Sequence, residues 1–210
     1  MPVTIRQAET SEDRERVFRF RYEIYVKEMG KPMPGADHCR RLLQDESDER
    51  ATHLMALDND EVVGSLRTIW GSVEIPSHYR EWYGLADFAE YPVERMSFSG
   101  RFMVAQGQRR GLTTALLLRE AYGLGCERQV GLDFIHTTPP LTRLFEQVGH
   151  RCYKADFIDP HLGPRTPMVL FVEDHEHLIK CRSPFLRHAS RTLSKSRAAS
   201  GLPSGTRSIP

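Results

Sequence analysis

Apolar and polar positions alternate in VTIRQA, residues 3–8, which predicts a short opening strand. The period then lengthens. Val17, Phe18, Arg21, Ile24, Tyr25 and Glu28 recur at helical spacing in SEDRERVFRFRYEIYVKEM, predicting a helix over 11–29 whose buried stripe is flanked by Arg21 and Tyr25. Thr10 is its expected N-cap, with Asp13 three residues on. From Gly30 to about Arg50 the chain is rich in Pro, Gly and charge, and reads as a long loop of the kind that often carries function. ATHLMALD and EVVGSLRTIW, on either side of Asn59-Asp60, predict a β-hairpin. Residues 71–92 read as irregular, with one short helix after Ser77. ERMSFSGRFMV and VGLDFIHT are expected strands, with a strongly helical stretch between them. PPLTRLFEQVG is a short helix that starts with Pro and stops at Gly, and HRCYKAD and TPMVLFVE are the last strands. The order β-α-loop-β-β-β-α-β-α-β-β predicts an α/β fold (mixed α+β): a central, twisted mixed sheet flanked by helices.

At 210 residues the chain is long enough for one well-buried domain, expected over 1–183. Charge sets the last part aside. No Asp or Glu follows Glu176, yet seven basic residues do, leaving 22 basic against 28 acidic residues before that point. Residues 184–210 are therefore expected to be a basic tail outside the packed domain. In SPFLRHASRTLSKS, Phe185, Ala189 and Leu193 would line one face of a helix and Arg187, Arg191 and Lys195 another. Such a helix suits peripheral contact with an anionic membrane or an acidic carrier protein, and a disordered basic tail is the alternative. A nucleic-acid role finds no aromatic partners in the tail. No run approaches the ~18 apolar residues of a membrane span, and the start lacks the apolar core of a signal peptide. Cys39, Cys126, Cys152 and Cys181 stand far apart, as expected of reduced thiols in a cytoplasm.

The stretch with the most chemistry is SGRFMVAQGQRRGLTTALLLREAYGLG, residues 99–125. A strand that feeds a helix through a glycine turn leaves several backbone N–H groups converging on one spot, where the helix dipole adds positive potential. Gln108, Arg109, Arg110, Gly111, Leu112, Thr113 and Thr114 would then cradle a phosphate or pyrophosphate. Gly111 would admit close backbone approach, and the arginines would add charge. The plain alternative is a crossover turn with solvated arginines.

Gln108-x-x-Gly111-x-Thr113 after an apolar strand resembles the Q/R-x-x-G-x-G/A signature of the GNAT N-acyltransferases, with Thr113 where Gly or Ala is usual. That likeness implies a turn that binds the pyrophosphate and pantetheine arm of an acyl thioester. RFRYEIYVKEMGK (19–31), the acids Asp45 and Asp48, GSLRTIW (64–70) and SGRFMV look like the branch of this fold that holds the acyl-homoserine-lactone autoinducer synthases and the N-acyl amino acid synthases. PPLTRLFEQVGHRCYKAD and PMVLFVEDHEHLIKCRSPF look more like the second group. The likeness covers roughly residues 15–185.

The resemblance implies an N-acyltransferase with no tightly bound cofactor, taking its acyl group from an acyl carrier protein or acyl-CoA and passing it to the amine of an amino acid or similar small acceptor. It places Arg21, Tyr25, Asp45, Asp48 and Arg67 around the acceptor and the fold core; Arg21 and Arg67 paired with the two acids only as structure is the other reading. Glu94, Ser99 and Arg101 are the expected catalytic group, with Glu94 accepting the amine proton. A backbone N–H near Phe102, Met103 and Val104, at a splayed strand end, would hold the oxyanion. Three departures stand out. Phe98 occupies the position of the autoinducer synthases' acid, so a bulge at Ser99-Gly100 is needed to bring Glu94 round; Phe145 stands where many relatives carry a proton-donating Tyr; and the N-terminal loop lacks the Trp typical of the autoinducer synthases. An acetyl-CoA-dependent acetyltransferase, an autoinducer synthase and a non-catalytic acyl-thioester-binding module are the alternatives. No metal is expected: Asp174-His175-Glu176-His177 lacks a third ligand at usual spacing, and Cys39 beside His38 does not make a nucleophile pair.

Overall fold

A computed structural model describes residues 2–109 and 111–186. Its sheet is mixed, as the element order predicts. β1 (Thr4–Gln7), β4 (Thr52–Asp58), β5 (Glu61–Trp70), β6 (Met96–Val104), β7 (Leu132–Thr137), β10 (Gly163–Phe171) and β8 (Arg151–Cys152) lie side by side in that order, with β9 (Phe157–Asp159) on β10. The β6–β7 pair is parallel and every other pairing is antiparallel.

Alternation along the strands sends opposite residues to the two faces. One face carries Leu66, Val104, Ile135, Met168 and Leu170 and is covered by α3 (Leu112–Glu127) and α4 (Thr142–Val148) through Leu117, Leu118, Tyr122 and Phe145. On the other, Ile69, Phe98, Leu132, Phe134 and Val169 meet Tyr79, Tyr83, Leu85 and Phe88. The segment 71–92 is thus a cover for the sheet. It contains the expected short helix, α2 (Tyr79–Trp82), and a 3₁₀ turn at Leu85–Phe88.

Four expectations change. The first helix is α only over α1 (Ser11–Tyr22), capped by Thr10; Glu23–Glu28 continue as π-helical turns, with Met29 N–H donating to Ile24 O at 2.9 Å. Wide turns of this kind often sit at functional sites, and here they carry Tyr25. The loop 30–50 holds a small hairpin, β2 (Ala36–Asp37) with β3 (Leu42–Leu43), because Leu42 and Leu43 are buried. HRCYKAD supplies only the two residues of β8, and the pairing continues on β9. Finally, the packed domain runs past residue 183. Phe185 stacks on Tyr122 with ring centroids 4.5 Å apart, and Ser183 Oγ–H donates to Val148 O at 2.7 Å. Phe185 belongs to the core after α5 (His175–Lys180) and is not free to face a lipid surface; the rest of the expected tail helix lies outside the described residues.

Close backbone approach fixes where β6 begins. A Cβ on Gly71 would stand 1.7 Å from the carbonyl oxygen of Val93, and Gly71 N–H donates to Met96 O at 2.8 Å. Gly71→Ala is expected to cost roughly 1–3 kcal/mol or more, read as a lower urea midpoint; an unchanged midpoint would refute this close contact.

Candidate active site

The parallel pairing of β6 with β7 covers only Met96–Phe98 against Leu132–Phe134. Beyond Phe98 the strands part, and the β7-facing edge of β6 has no ladder partner. On its other edge β6 bulges: Ser65 pairs Met103 but Arg67 pairs Gly100, so β6 carries one extra residue there. Arg101 absorbs it in the left-handed region (φ 50°), a conformation that costs an L-residue of order 1 kcal/mol and persists only where surroundings hold it. The bulge falls one to two residues beyond Ser99-Gly100. It re-aims Arg101 and Phe102 and leaves Glu94 untouched.

Arg101 is held from below. Its Nη2 donates to Asp45 Oδ2 at 2.8 Å, and its guanidinium lies 5.4 Å from the Tyr25 ring centre. Arg67 Nη1 donates to Asp45 Oδ1 at 2.6 Å and to Asp48 Oδ1 at 3.0 Å. Arg21, 1% exposed, donates to Asp48 Oδ1 at 2.7 Å and to His53 Nδ1 at 2.9 Å. Because arginine has no acceptor atom, His53 Nδ1 accepts and its Nε2–H donates to Asp48 O at 2.9 Å, which fixes the tautomer. The two acids lie in reach because they close a reciprocal cap on the 3₁₀ turn Glu46–Glu49. Burial would raise both carboxyls, but Arg67 and Arg101 hold Asp45, and Arg21 and Arg67 hold Asp48, below the usual range. Three guanidiniums therefore face two carboxylates, with a neutral His53 behind them. One positive charge is left over on the cavity side.

That side is a cavity of about 1430 Å³ between the parted strands and the helices. Its polar end is lined by Tyr25, Asp45, Arg67, Arg101, His136 and Arg165. His136 Nδ1 is 2.7 Å from the Tyr83 hydroxyl, and burial, reinforced by Arg165, pulls its pKa down to about 3 and keeps it neutral. Arg165 is 5% exposed and donates to Leu162 O at 3.2 Å, while its Nε is buried without a hydrogen-bond partner; no salt bridge to it forms among the described residues. The other end is an apolar arm beneath α3, walled by Trp70, Leu118, Ala121, Tyr122, Val130 and Val172.

The expected cradle is where the turn meets α3. Gly111 is extended (φ −98°), so its value is lack of bulk, not a left-handed conformation, and the helix start carries no side-chain cap. The side chains do other work than expected. Arg109 donates from Nε to Val104 O at 3.0 Å and pairs with Glu28, so it ties the turn to the strand end and to the π-helical turns. Gln108 Nε2 donates to Asp58 Oδ2 at 3.1 Å; Thr113 is fully buried, donating to Gln108 Oε1 at 3.3 Å; Thr114 donates to Arg109 O at 3.3 Å. Leu112 is 69% exposed at the helix start. Arg110 lies outside the described residues. Phe102, Met103 and Val104 line the cavity beside the bulge.

Of the expected catalytic group, Ser99 and Arg101 line the cavity and Glu94 does not. It sits exposed in the 3₁₀ turn Val93–Arg95 ahead of β6, because the bulge falls at Arg101-Phe102 and adds no residue between Glu94 and Arg101. Arg21 and Asp48 are buried structural partners; Tyr25, Asp45 and Arg67 reach the cavity. Phe145 is core, with its ring 5.9 Å from Phe102. Sequence reasoning missed Arg165, His136, Asp133 and His150. Polar residues interrupting the apolar strand VGLDFIHT were the available signal for the middle two. Among the described residues no group of three or more His, Cys, Asp or Glu could hold a metal, and no helix is long and apolar enough to cross a membrane.

Residues 20–119, just under half the chain, match the family described as acetyltransferase (GNAT) domain. That stretch is similar to a GNAT acetyltransferase domain. Solved structures extend the likeness over most of its length. The N-acyl amino acid synthase FeeM from uncultured soil microbes superposes with a TM-score of 0.67 at 13% identity, covering 89% of this chain and 97% of its own. The CoA-dependent acyl-homoserine lactone synthase BjaI, with SAM and isopentyl-CoA, gives 0.65 at 16%, covering 91% and 98%. A putative N-acetyltransferase from Lactobacillus plantarum gives 0.58 at 16%, covering 82% and 99%. At such identities the likeness is one of fold. No curated protein sequence matches significantly.

The buried network makes stability depend on pH. His53 has a pKa of about 4 when folded, mainly because of burial, against about 6.5 in an unfolded chain. The unfolded state therefore binds a proton that the folded state refuses. Stability is complete above about pH 6.5 and falls as the pH drops towards 4, by about 3 kcal/mol from this group. Urea unfolding from pH 7 to 4.5 should show that decline, and His53→Gln should flatten it; an equal slope in the variant would contradict the assignment.

Proposed function

We propose that the protein is an N-acyltransferase that moves an acyl group longer than acetyl from a pantetheine thioester to the amine of an amino acid or similar small acceptor. The observation that carries this reading is one cavity with two unlike ends: a cationic end with a buried Arg165 that forms no salt bridge among the described residues, and a long apolar arm. An apolar arm of this depth is not needed to hold a two-carbon group. A buried guanidinium that feels Asp159 but forms no salt bridge among the described residues favours an acceptor that brings a carboxylate, which matches its fork bidentately. Arg101 and Arg67, with the surplus charge of their network, draw the same anion in.

The donor's phosphate would rest at the uncapped start of α3, the pantetheine arm following the unpaired edge of β6 to the bulge. A backbone N–H there would hold the thioester oxygen as negative charge develops. The amine nitrogen bonds to the carbonyl carbon, the C–S bond breaks, and the thiolate departs and takes up a proton. The amine must shed a proton as it attacks. His136, on the acceptor side and 2.7 Å from the Tyr83 hydroxyl, is too weak a base at a pKa of about 3 to keep that proton; it would orient the amine through a hydrogen bond while water carries the proton away. The donor's carrier is coenzyme A or an acyl carrier protein, which share this arm. A cytoplasmic site of action follows from either.

Mass spectrometry of lipid extracts from cells overproducing the protein should reveal new N-acyl amino acids; lactones instead would assign an autoinducer synthase, and acetylated amines alone an acetyltransferase. Chain length has its own test. Gly125 lies at the end of the arm, where an added Cβ meets only Val130, at 3.9 Å. Gly125→Leu should cut turnover of the longest accepted donors by about tenfold or more and spare short ones, since lost apolar burial is worth about 0.8 kcal/mol per CH₂. An unchanged chain-length profile would show that acyl groups do not enter there.

A further inference from the structure

The apolar arm is crossed by a polar belt. Ser97 and Ser99 on β6 share the face that otherwise carries Leu66 and Ile135, and Asp133 on β7 stands opposite Ser97 in the parallel ladder. Both serine hydroxyls donate to Asp133 Oδ1, at 2.7 and 2.9 Å, and Thr68 Oγ1 lies 3.2 Å from Ser99 Oγ. Oδ1 is thereby satisfied, whereas Oδ2 has no hydrogen-bond donor among the described residues and lies 3.5 Å from His150 Nε2. His150 follows the left-handed Gly149 that ends α4 and is 4% exposed. Neither of its ring nitrogens has a hydrogen-bond partner, although its side chain lines the cavity.

A plain alkyl chain lying across this belt would strip water from a carboxylate and an imidazole and return nothing, a cost of kcal/mol order for each unpaired group. The chemistry of the missing partner follows from the donor and acceptor inventory. The carboxylate oxygen accepts only; the imidazole ring always offers at least one N–H donor. A carbonyl cannot serve Asp133, and an ammonium cannot take the imidazole N–H. A hydroxyl does both. The belt begins at Ser99, two residues before the bulge, and reaches Ser97 about 7 Å further along the strand. It therefore meets the acyl chain and not the acceptor.

We propose that Asp133 and His150, set by Ser97 and Ser99, form a binding site for a hydroxyl group carried on the acyl chain of the donor, so that the preferred substrate is a hydroxyacyl thioester. This rests on the N-acyltransferase reading above. The test is kcat/KM of the purified full-length protein with acyl-CoA donors of one chain length, one unsubstituted and the others differing only in which carbon bears a hydroxyl. At least one hydroxyacyl donor should exceed the unsubstituted one by about tenfold, the scale of a buried hydrogen bond, and both Asp133→Leu and His150→Phe should bring that ratio to about one. Should one variant fail to fold, the ratio in the other decides. Parity in the unmodified protein, or a preference that survives both substitutions, overturns the proposal and leaves the acyltransferase reading standing. Absence of transfer from every donor overturns that reading, and the hydroxyl site with it.

Discussion

The site depends on one constraint: the extra residue in β6 forces Arg101 into a left-handed conformation that only its partners can sustain. Asp45 grips its guanidinium, Tyr25 lies beneath it, and Arg67, Asp48, Arg21 and His53 lock Asp45 in turn. Opposite charges desolvated together add little net stability, but removing one partner leaves an uncompensated charge, so such a network specifies geometry more than it adds free energy. What it specifies here is the parting of two parallel strands, and with it the cavity.

Function then follows from how the two ends of that cavity differ. The network has one more cation than anion, and Arg165 adds another that forms no salt bridge among the described residues, so this end invites negative charge. Beneath α3 the walls are apolar except for the belt at Asp133 and His150. The two environments are kept apart by β6 itself, whose Phe98 faces one side of the sheet while Ser97 and Ser99 face the other. On the proposed function, a single strand would set both the acceptor's neighbourhood and the acyl chain's path.

Much of the fold was legible in the sequence because it is written in local period. The hairpin around Asn59-Asp60, the strand at residues 96–104 and the helix after Gly111 were readable from alternation and turn chemistry alone. The π-helical turns at Glu23–Glu28 were not, since a widened helix keeps nearly the same apolar spacing. Nor was the burial of Phe185, which a basic neighbourhood disguised. Arg67 and Arg101, singled out by a family pattern, do line the cavity, whereas strand pairing decides where Glu94 goes. Glu94 needed a bulge placed before the arginine, and the ladder puts it at the arginine itself. Arg165, His136, Asp133 and His150 come from separate segments, and only the folded sheet brings them to one cavity.

The central claim is that a carboxylate-bearing amine and a long acyl chain meet at the bulge. It is tested most directly by steady-state transfer from one medium-chain acyl thioester to an amino acid and to the amine made by removing its carboxyl group. The account predicts that the amino acid is acylated with kcat/KM at least about tenfold higher, the scale of one lost charge-assisted hydrogen bond, and that Arg165→Gln erases the difference. Equal rates for the two amines, or a preference that persists without Arg165, would contradict it.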